Sequence, residues 1–155
     1  RGGRTAPRLC GRPGDQPIFV ADIDASKREA ALKLGAAEAF DPAEPGARKA
    51  IAKASGGGVG AAVDFAGSDK SLAFAHAPVA KGGAAIVVGL FGGSFSLPVP
   101  MFPLRALTIM GSYVGSMAEA KVAQIPMEKR PLDQTNRSLD ELRAGKVVGR
   151  IVVTP

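Results

Sequence analysis

The sequence predicts an α/β protein with a doubly wound parallel sheet, and three observations lead to that prediction. Short apolar runs alternate with helix-like segments from Ile18 onward. The chain of 155 residues is 46% hydrophobic and rich in glycine, which favours one domain with close helix-on-sheet packing. Its longest apolar run, residues 84–88, has the length of a buried strand and falls short of the roughly 18 residues of a membrane span. Strands that alternate with helices form a parallel sheet covered on both faces.

The strands are predicted from apolar runs bounded by glycine, proline or an acid. Residues 1–16 contain no such run, so we expect an irregular segment there and a single domain over residues 17–155. The sheet of that domain is then incomplete at its N-terminus. The predicted strands are Ile18–Asp22, Ala37–Phe40, Ala61–Phe65, Ala84–Gly89, Leu107–Val114 and Val147–Val153.

The helices are predicted from capping residues and from apolar periodicity. Asp24 is a suitable N-cap, and Pro45 suits the first turn of a helix. Lys81–Gly83 is predicted as a turn and the proline-rich segment Gly92–Pro103 as a connection. The predicted helices are Asp24–Leu34, Pro45–Ala54, Ser71–Ala77, Met117–Gln124 and Asp133–Ala144.

Asp22 is the most informative residue, because it ends the first predicted strand just before a helix begins. In a dinucleotide-binding sheet, an acid in this place accepts hydrogen bonds from the adenosine ribose and repels a 2′-phosphate. Asp22 therefore predicts a preference for NAD over NADP, with the ammonium of Lys27 reaching the same ribose. The alternative stays open that Asp22 only caps the next turn and that Lys27 is a solvated helix residue.

The glycine-rich fingerprint of dinucleotide-binding proteins is expected before Ile18, between a first strand and its helix. Residues 1–16 supply neither the strand nor the spaced glycines. A literal match, Gly56-x-Gly58-x-x-Ala61, follows a helix and enters a strand, which is the reverse of the required order. We therefore interpret that match as a plain turn.

Other strand ends are also candidates for ligand contact, because ligands of open α/β sheets bind beyond the carboxyl ends of strands. The segments 65–67 and 88–90 end two predicted strands in glycine-containing sequences. Either segment is equally compatible with an ordinary strand exit. Arg150, near the start of the last predicted strand, is either a surface charge or a forked contact to a phosphate.

The charge distribution argues against a nucleic-acid partner. The net charge is +6, and half of this excess lies within residues 1–15. In the rest of the chain both signs of charge are interspersed, aromatic residues are few and no nucleic-acid-binding motif occurs. We expect neither a nucleic acid nor a membrane as partner.

The single cysteine, Cys10, excludes an internal disulfide and fits a reducing compartment, so we expect a cytoplasmic protein. Together with the single histidine, His76, it provides too few ligands for a Cys/His zinc site. A Ser/His/Asp triad is equally unsupported. We expect His76 to face solvent at the end of its helix.

Seven segments form a larger pattern whose order and spacing are more specific than any one of them. They are Val20–Asp24, Lys27–Arg28, Leu34–Ala36, Val63–Gly67, Lys81–Gly89, Ile109–Gly115 and Leu142–Val153. The set resembles the coenzyme-binding half of the zinc-type, medium-chain alcohol dehydrogenase family, over residues 18–155. The resemblance implies a Rossmann-like fold.

The resemblance also implies that nine residues bind NAD, whereas it identifies no catalytic residue in this chain. The nine are Asp22 with Lys27 for the adenosine ribose, Phe65 with Ala66 for the adenine, Gly89 with Leu90 for the nicotinamide ribose, Ser112 with Val114 for the carboxamide, and Arg150 for the pyrophosphate.

Members of the family transfer a hydride between an alcohol carbon and nicotinamide, while a zinc ion polarises the oxygen. The implied substrate is an alcohol or aldehyde, and a homodimer through an edge strand is left open. The zinc ligands, the catalytic domain and the glycine loop are missing from the pattern, so we expect a fragment that is inactive alone. Two alternatives stay open: a non-catalytic fragment or interaction module with little cofactor affinity, and a methyltransferase.

Overall fold

The computed structural model describes residues 17–113, 127–147 and 149–154, and strands alternate with helices along them. The strands are β1 (Phe19–Ala21), β2 (Glu38–Phe40), β3 (Val59–Asp64), β4 (Val79–Val87), β5 (Thr108–Gly111), β6 (Met127–Pro131) and β7 (Arg150–Thr154). The helices are α1 (Ala25–Lys33), α2 (Ala47–Ala54), α3 (Asp69–Ala75), α4 (Met101–Arg105) and α5 (Thr135–Arg143). A 3-10 turn over Leu132–Gln134 precedes α5. The α/β class is confirmed.

Every strand pair in this part of the chain is parallel. The pairs form three hydrogen-bonded groups, β1-β2, β3-β4-β5 and β6-β7. Parallel neighbours need a crossover connection, and α3 and α4 provide it on either side of β4. The parallel arrangement agrees with the prediction, although the single predicted sheet is represented by separate groups within the described residues. The predicted N-terminal gap in the sheet and the helix Met117–Gln124 lie outside the described residues.

Two helices begin at the caps that their sequences supply. Asp24 caps α1, where its carboxylate accepts hydrogen bonds from the backbone N–H of Ser26 at 2.9 Å and from its hydroxyl at 2.7 Å. Ser68 and Ser71 form a capping box at the start of α3. Each cap satisfies N–H groups that have no partner inside the helix. The cap at Asp24 was predicted, whereas α3 begins earlier than Ser71.

The long central strand β4 begins at Val79, so the predicted turn Lys81–Gly83 is wrong. A Cβ atom on Gly83 would lie 2.6 Å from the carbonyl oxygen of Gly60. Glycine within a strand often marks such a close backbone approach rather than a turn. Gly83 therefore allows β3 and β4 to lie close together at a bulge, where the register shifts between the pairs Val59–Val79 and Ala61–Ala84.

Two elements were not predicted, and each has a physical reason. Helix α4 begins after Pro100 and carries Pro103 in its first turn, where a missing N–H costs nothing. Strand β6 contains Glu128, Lys129 and Arg130, which have the charged character of an edge rather than of a buried strand. Apolar periodicity reveals neither element, because α4 contains proline and β6 contains charged residues.

Arg105 of α4 fixes the chain between α3 and β4. One guanidinium nitrogen of Arg105 donates to the carbonyl oxygens of His76 at 3.3 Å and Ala77 at 3.2 Å, and also to that of Val79. The carbonyls of His76 and Ala77 lie at the end of α3, where a cation is favourable, and Val79 begins β4. Arg105 thus anchors the crossover that returns the chain to β4.

The buried apolar side chains of the described residues are mostly small: Ala31, Ala47, Ile51, Val79, Ala85 and Leu107. Larger apolar side chains near the carboxyl ends of β4 and β5 are exposed, including Leu90 (82%), Phe91 (73%) and Tyr113 (78%). None of the described helices is long and apolar enough to span a membrane.

Candidate functional site

Strands β3, β4 and β5 lie side by side in parallel, so their carboxyl ends meet at one edge. Phe65 directly follows β3, Gly89 lies just after β4 and Ser112 directly follows β5. The N–H of Ser112 donates to the carbonyl oxygen of Val87 at 2.9 Å, which extends the ladder beyond β5. The structure thus brings together five of the residues predicted to bind a cofactor: Phe65, Ala66, Gly89, Leu90 and Ser112.

The chain segments after β3 and β4 touch each other through glycine. A Cβ atom on Gly67 would collide with the carbonyl group of Gly89. A Cβ on Gly89 would in turn collide with the carbonyl group of Ala66. Only glycine allows this approach, which also keeps the backbone open to a ligand at this edge.

An open groove of about 320 Å³ lies beside this contact. Its apolar side chains come from α3, from β4 and from the segment that follows β4, and its polar side chains are few. The groove is lined by Gly67, Ser68, Asp69, Leu72, Val87, Gly89, Leu90, Gly92, Gly93, Ser94 and Phe95. A mainly apolar concavity with a few polar groups is the usual character of a cofactor site.

Asp22 directly follows β1, as predicted, and only 7% of its surface is exposed. Its Oδ1 accepts a hydrogen bond from the N–H of Asp24 at 2.9 Å, which is the turn-capping role. Among the described residues, no hydrogen bond reaches Oδ2. Asp22 therefore caps its own turn with Oδ1. Its contact with a ribose through Oδ2 stays a prediction.

Lys27 projects from α1 toward the cap of its own helix. Its Nζ lies 3.9 Å from Oδ2 of Asp24, and 13% of its side chain is exposed. Hydrogen bonds from Ser26 lower the pKa of Asp24, and the charge of Lys27 lowers it further. Contact between Lys27 and a ribose stays a prediction.

Of the two remaining predicted residues, Arg150 lies in a strand that has no ladder to β3, β4 or β5 within the described residues. Arg150 is exposed and begins β7, where it pairs with Met127 of β6. Val114 lies outside the described residues. The predicted role of Arg150 at a pyrophosphate stays a prediction.

Two residues near these positions were not predicted as site residues. Asp64, the last residue of β3, has a buried carboxylate that accepts hydrogen bonds from Ala66 and Gly67. Arg28 donates to the carbonyl oxygen of Asp22 at 2.7 Å and pairs with Asp41 at 3.1 Å. The signal that selected Asp22, an acid at a strand end, was equally present at Asp64.

His76 differs from its prediction. It caps the C-terminal end of α3 as expected, but it is half-buried and its ring packs edge-on against Phe95, with the centroids 5.0 Å apart. Its Nδ1 lies 3.0 Å from the carbonyl oxygen of Leu72. The histidine is therefore packed against Phe95, which lines the groove, rather than facing solvent.

The described residues fit a dinucleotide better than they fit a metal. The glycine contact and the apolar groove suit close approach by a flat, extended ligand. In contrast, the part of the chain that the structure describes contains no group of three or more His, Cys, Asp or Glu side chains that could hold a metal ion. The zinc ion of the resembled family therefore has no ligand set in these residues.

Comparison with known proteins supports the same interpretation. The chain is 30% identical to an NAD-dependent alcohol dehydrogenase of Sulfurisphaera tokodaii, over 89% of this chain and 43% of that protein. It is 31% identical to an NAD-dependent alcohol dehydrogenase of Saccharolobus solfataricus, over 99% of this chain and 47% of that protein. The crystal structure of the alcohol dehydrogenase from Aeropyrum pernix superposes with a TM-score of 0.76 at 26% identity, covering 89% of this chain and 42% of that one.

The chain thus spans less than half the length of these relatives. The Rossmann-like fold predicted from the resemblance is confirmed by the structural similarity. The sequence model that matches residues 12–127 is described as zinc-binding dehydrogenase, and it decides against the methyltransferase alternative. This chain belongs to the zinc-binding dehydrogenase family.

Proposed function

We propose that this chain is the NAD-binding portion of an alcohol dehydrogenase-like oxidoreductase, which transfers a hydride between an alcohol and nicotinamide. The observation that carries the proposal is the edge where β3, β4 and β5 end together beside the glycine contact of Gly67 and Gly89. Membership of the family and the names of the relatives support NAD as the ligand. NAD, when bound, supplies the carbon that accepts the hydride.

We assign the adenosine half of NAD to the carboxyl ends of β1 and β3. Asp22 would accept hydrogen bonds from the ribose hydroxyls through Oδ2, with help from Lys27. Phe65 is 38% exposed after β3 and offers, with Ala66, an apolar surface to the adenine. A carboxylate at this place disfavours the extra phosphate of NADP through charge repulsion.

We assign the nicotinamide half of NAD to the carboxyl ends of β4 and β5. Gly89 and Leu90 would lie along the nicotinamide ribose, where Leu90 is 82% exposed and free to be covered by a ligand. Ser112, with Val114, would present backbone groups to the carboxamide. Arg150 would contact the pyrophosphate with its forked guanidinium.

The substrate of the complete enzyme is an alcohol or an aldehyde, by the same argument from the family. Among the described residues there is no metal ligand set, so the proposal assigns no metal-binding role to them. We further propose a cytoplasmic location and leave a homodimer as a question for the mass of the purified protein. Residues 17–155 form the dinucleotide-binding domain in this proposal.

Calorimetric titration of the chain with NAD tests the proposal. We expect heat of binding with NAD and none with S-adenosylmethionine, which serves as the control ligand. A chain that is folded by circular dichroism and yet releases no heat with NAD would contradict the proposal. The second candidate, an interaction module, would then be favoured by the exposed Phe91 and Tyr113.

A further inference from the structure

Asp64 is a buried carboxylate at the end of β3, with 5% of its surface exposed, and both of its oxygens are occupied. Oδ1 accepts hydrogen bonds from the N–H groups of Ala66 at 2.9 Å and Gly67 at 3.0 Å. Oδ2 accepts one from the hydroxyl of Ser71 at 2.8 Å. Burial of a charge is unfavourable unless such bonds replace its water, so the carboxylate is committed to this one arrangement of the turn.

The main chain of the same residue holds the neighbouring segment. The carbonyl oxygen of Asp64 accepts hydrogen bonds from the N–H groups of Val88 at 2.9 Å and Gly89 at 3.1 Å. The N–H of Gly92 donates to the carbonyl oxygen of Gly67 at 3.0 Å. Asp64 therefore binds the turn 65–67 through its side chain and the segment 88–89 through its backbone.

We propose that Asp64, together with Ser71, is a positioning residue for the dinucleotide, because it fixes the segments 65–67 and 88–89 relative to each other. This inference rests on the proposed function, in which adenine lies against Phe65 and Ala66 and the nicotinamide ribose against Gly89. A ligand that touches both segments gains affinity when they are held in place beforehand. A ligand that touches only one of them gains little.

Ser71→Ala tests the inference without removing the buried charge. The variant deletes the hydroxyl that donates to Oδ2 of Asp64, so the turn 65–67 loses part of its restraint, and it also removes the acceptor for the N–H of Ser68 in the capping box. We expect the Kd for NAD to rise about five- to tenfold, a part of the energy of one hydrogen bond to a charged group. The Kd for AMP, which reaches only the adenine side, should change by less than about twofold.

Two further variants separate positioning from general damage to the fold. Ser138→Ala removes another buried serine hydroxyl, which lies 3.4 Å from Nη1 of Arg130 and has no bond to Asp64, and should leave both Kd values unchanged. Ser71→Thr keeps a hydroxyl and should restore the affinity for NAD. Amide hydrogen exchange should show faster exchange at Ala66 and Gly67 in Ser71→Ala alone.

Each adverse result has its own meaning. If the unsubstituted chain binds NAD and Ser71→Ala binds it equally well, the positioning role is wrong while the proposed function stands. An equal loss of affinity for NAD and AMP would also overturn the positioning role, because it would indicate a damaged adenine surface. If the unsubstituted, folded chain fails to bind NAD, the proposed function is wrong and the inference falls with it.

Discussion

One of the two carboxylate oxygens of Asp22 has a hydrogen-bond partner among the described residues. Oδ1 is held by the N–H of Asp24, and no described residue donates to Oδ2. Substitution by asparagine keeps an acceptor for that N–H while it removes the negative charge. Asp22→Asn therefore isolates the electrostatic part of the proposed ribose contact from the integrity of the turn.

We predict that Asp22→Asn weakens NAD binding about tenfold, as expected when one hydrogen bond to a charged group is replaced by a neutral one. The preference for NAD over NADP should narrow, since the repulsion of the 2′-phosphate is lost. Calorimetric titration with both cofactors measures the ratio of the two Kd values. Asp133→Asn, at an exposed position in the 3-10 turn, is the control. An unchanged ratio of the affinities for NAD and NADP in Asp22→Asn would contradict the proposed contact between Asp22 and the ribose.

The contact between Gly67 and Gly89 can be tested against a glycine of similar backbone conformation. Gly67 has a φ of +69° and Gly82 a φ of +82°, but only Gly67 would place a Cβ against the main chain of another residue. Gly82→Ala should cost about 1–2 kcal/mol of unfolding free energy from left-handed strain alone. Gly67→Ala should cost about 1–3 kcal/mol more, because the segment at Gly89 must move. Urea denaturation compares the two variants, and equal losses of stability would contradict the close contact at Gly67.

At this scale the sequence predicted positions better than contacts. The placement of Asp22, Phe65 and Gly89 at the carboxyl ends of strands was predicted correctly, because apolar runs are visible in the sequence. Their contact with NAD stays a prediction. The partners of Asp64 were not recognised, since Ser71 and Gly89 reach that residue through two different segments. Arg28 was missed for the same reason: its contact with Asp41 spans two elements.

At the scale of elements, α3 depends on its capping box more than on its length. The hydroxyl of Ser68 accepts a hydrogen bond from the N–H of Ser71 at 3.1 Å. Ser68→Ala should lower the free energy of unfolding by about 1 kcal/mol, the usual cost of a lost N-cap. Thermal denaturation measures the loss, and Ser96→Ala, at an exposed serine outside helices, should leave the melting temperature unchanged. Equal melting temperatures for the two variants would show that the cap contributes nothing.

The elements that were predicted and those that were missed differ in one respect. Strands β1 and β3 and helix α1 carry apolar runs or a clear cap, which act locally and are visible in sequence. Helix α4 and strand β6 form because of their partners: Arg105 bonds across to the chain before β4, and β6 pairs with β7. Sequence patterns do not contain such partners, so these two elements were left as connections.

For the whole molecule, alternation of strands and helices was sufficient to predict the α/β class and the parallel pairing. The pairing of the described strands as β1-β2, β3-β4-β5 and β6-β7 was not predictable, because it depends on contacts across long stretches of chain. The exposure of Leu90, Phe91 and Tyr113 was not predictable either, because it depends on which residues pack over them in the folded chain.

A network of charges joins β6 to α5. Arg130, whose side chain is 13% exposed, donates from Nε to Glu128 at 2.9 Å and lies 2.8 Å from Glu141 through Nη1. Hydrogen bonds from Arg130 lower the pKa of both glutamates below their ordinary value of 4.5. Because the folded pKa values are depressed, the network stabilises the fold above that value, and its contribution is lost as the pH falls through the folded pKa values.

We therefore predict that the segment from β6 to β7 opens in acid before the β3-β4-β5 sheet does. Amide hydrogen exchange at about pH 6 and about pH 3 should show a selective loss of protection in residues 127–147. Glu141→Gln should open this segment already at the higher pH and reduce the further change in acid, because a titrating partner of Arg130 is gone. Asp140→Asn is the control, since Asp140 and Arg143 form a pair with side chains 74% and 77% exposed, and such pairs contribute little. Uniform loss of protection across all strands would show instead that acid acts on the whole fold and that the charges around Arg130 have no special part in it.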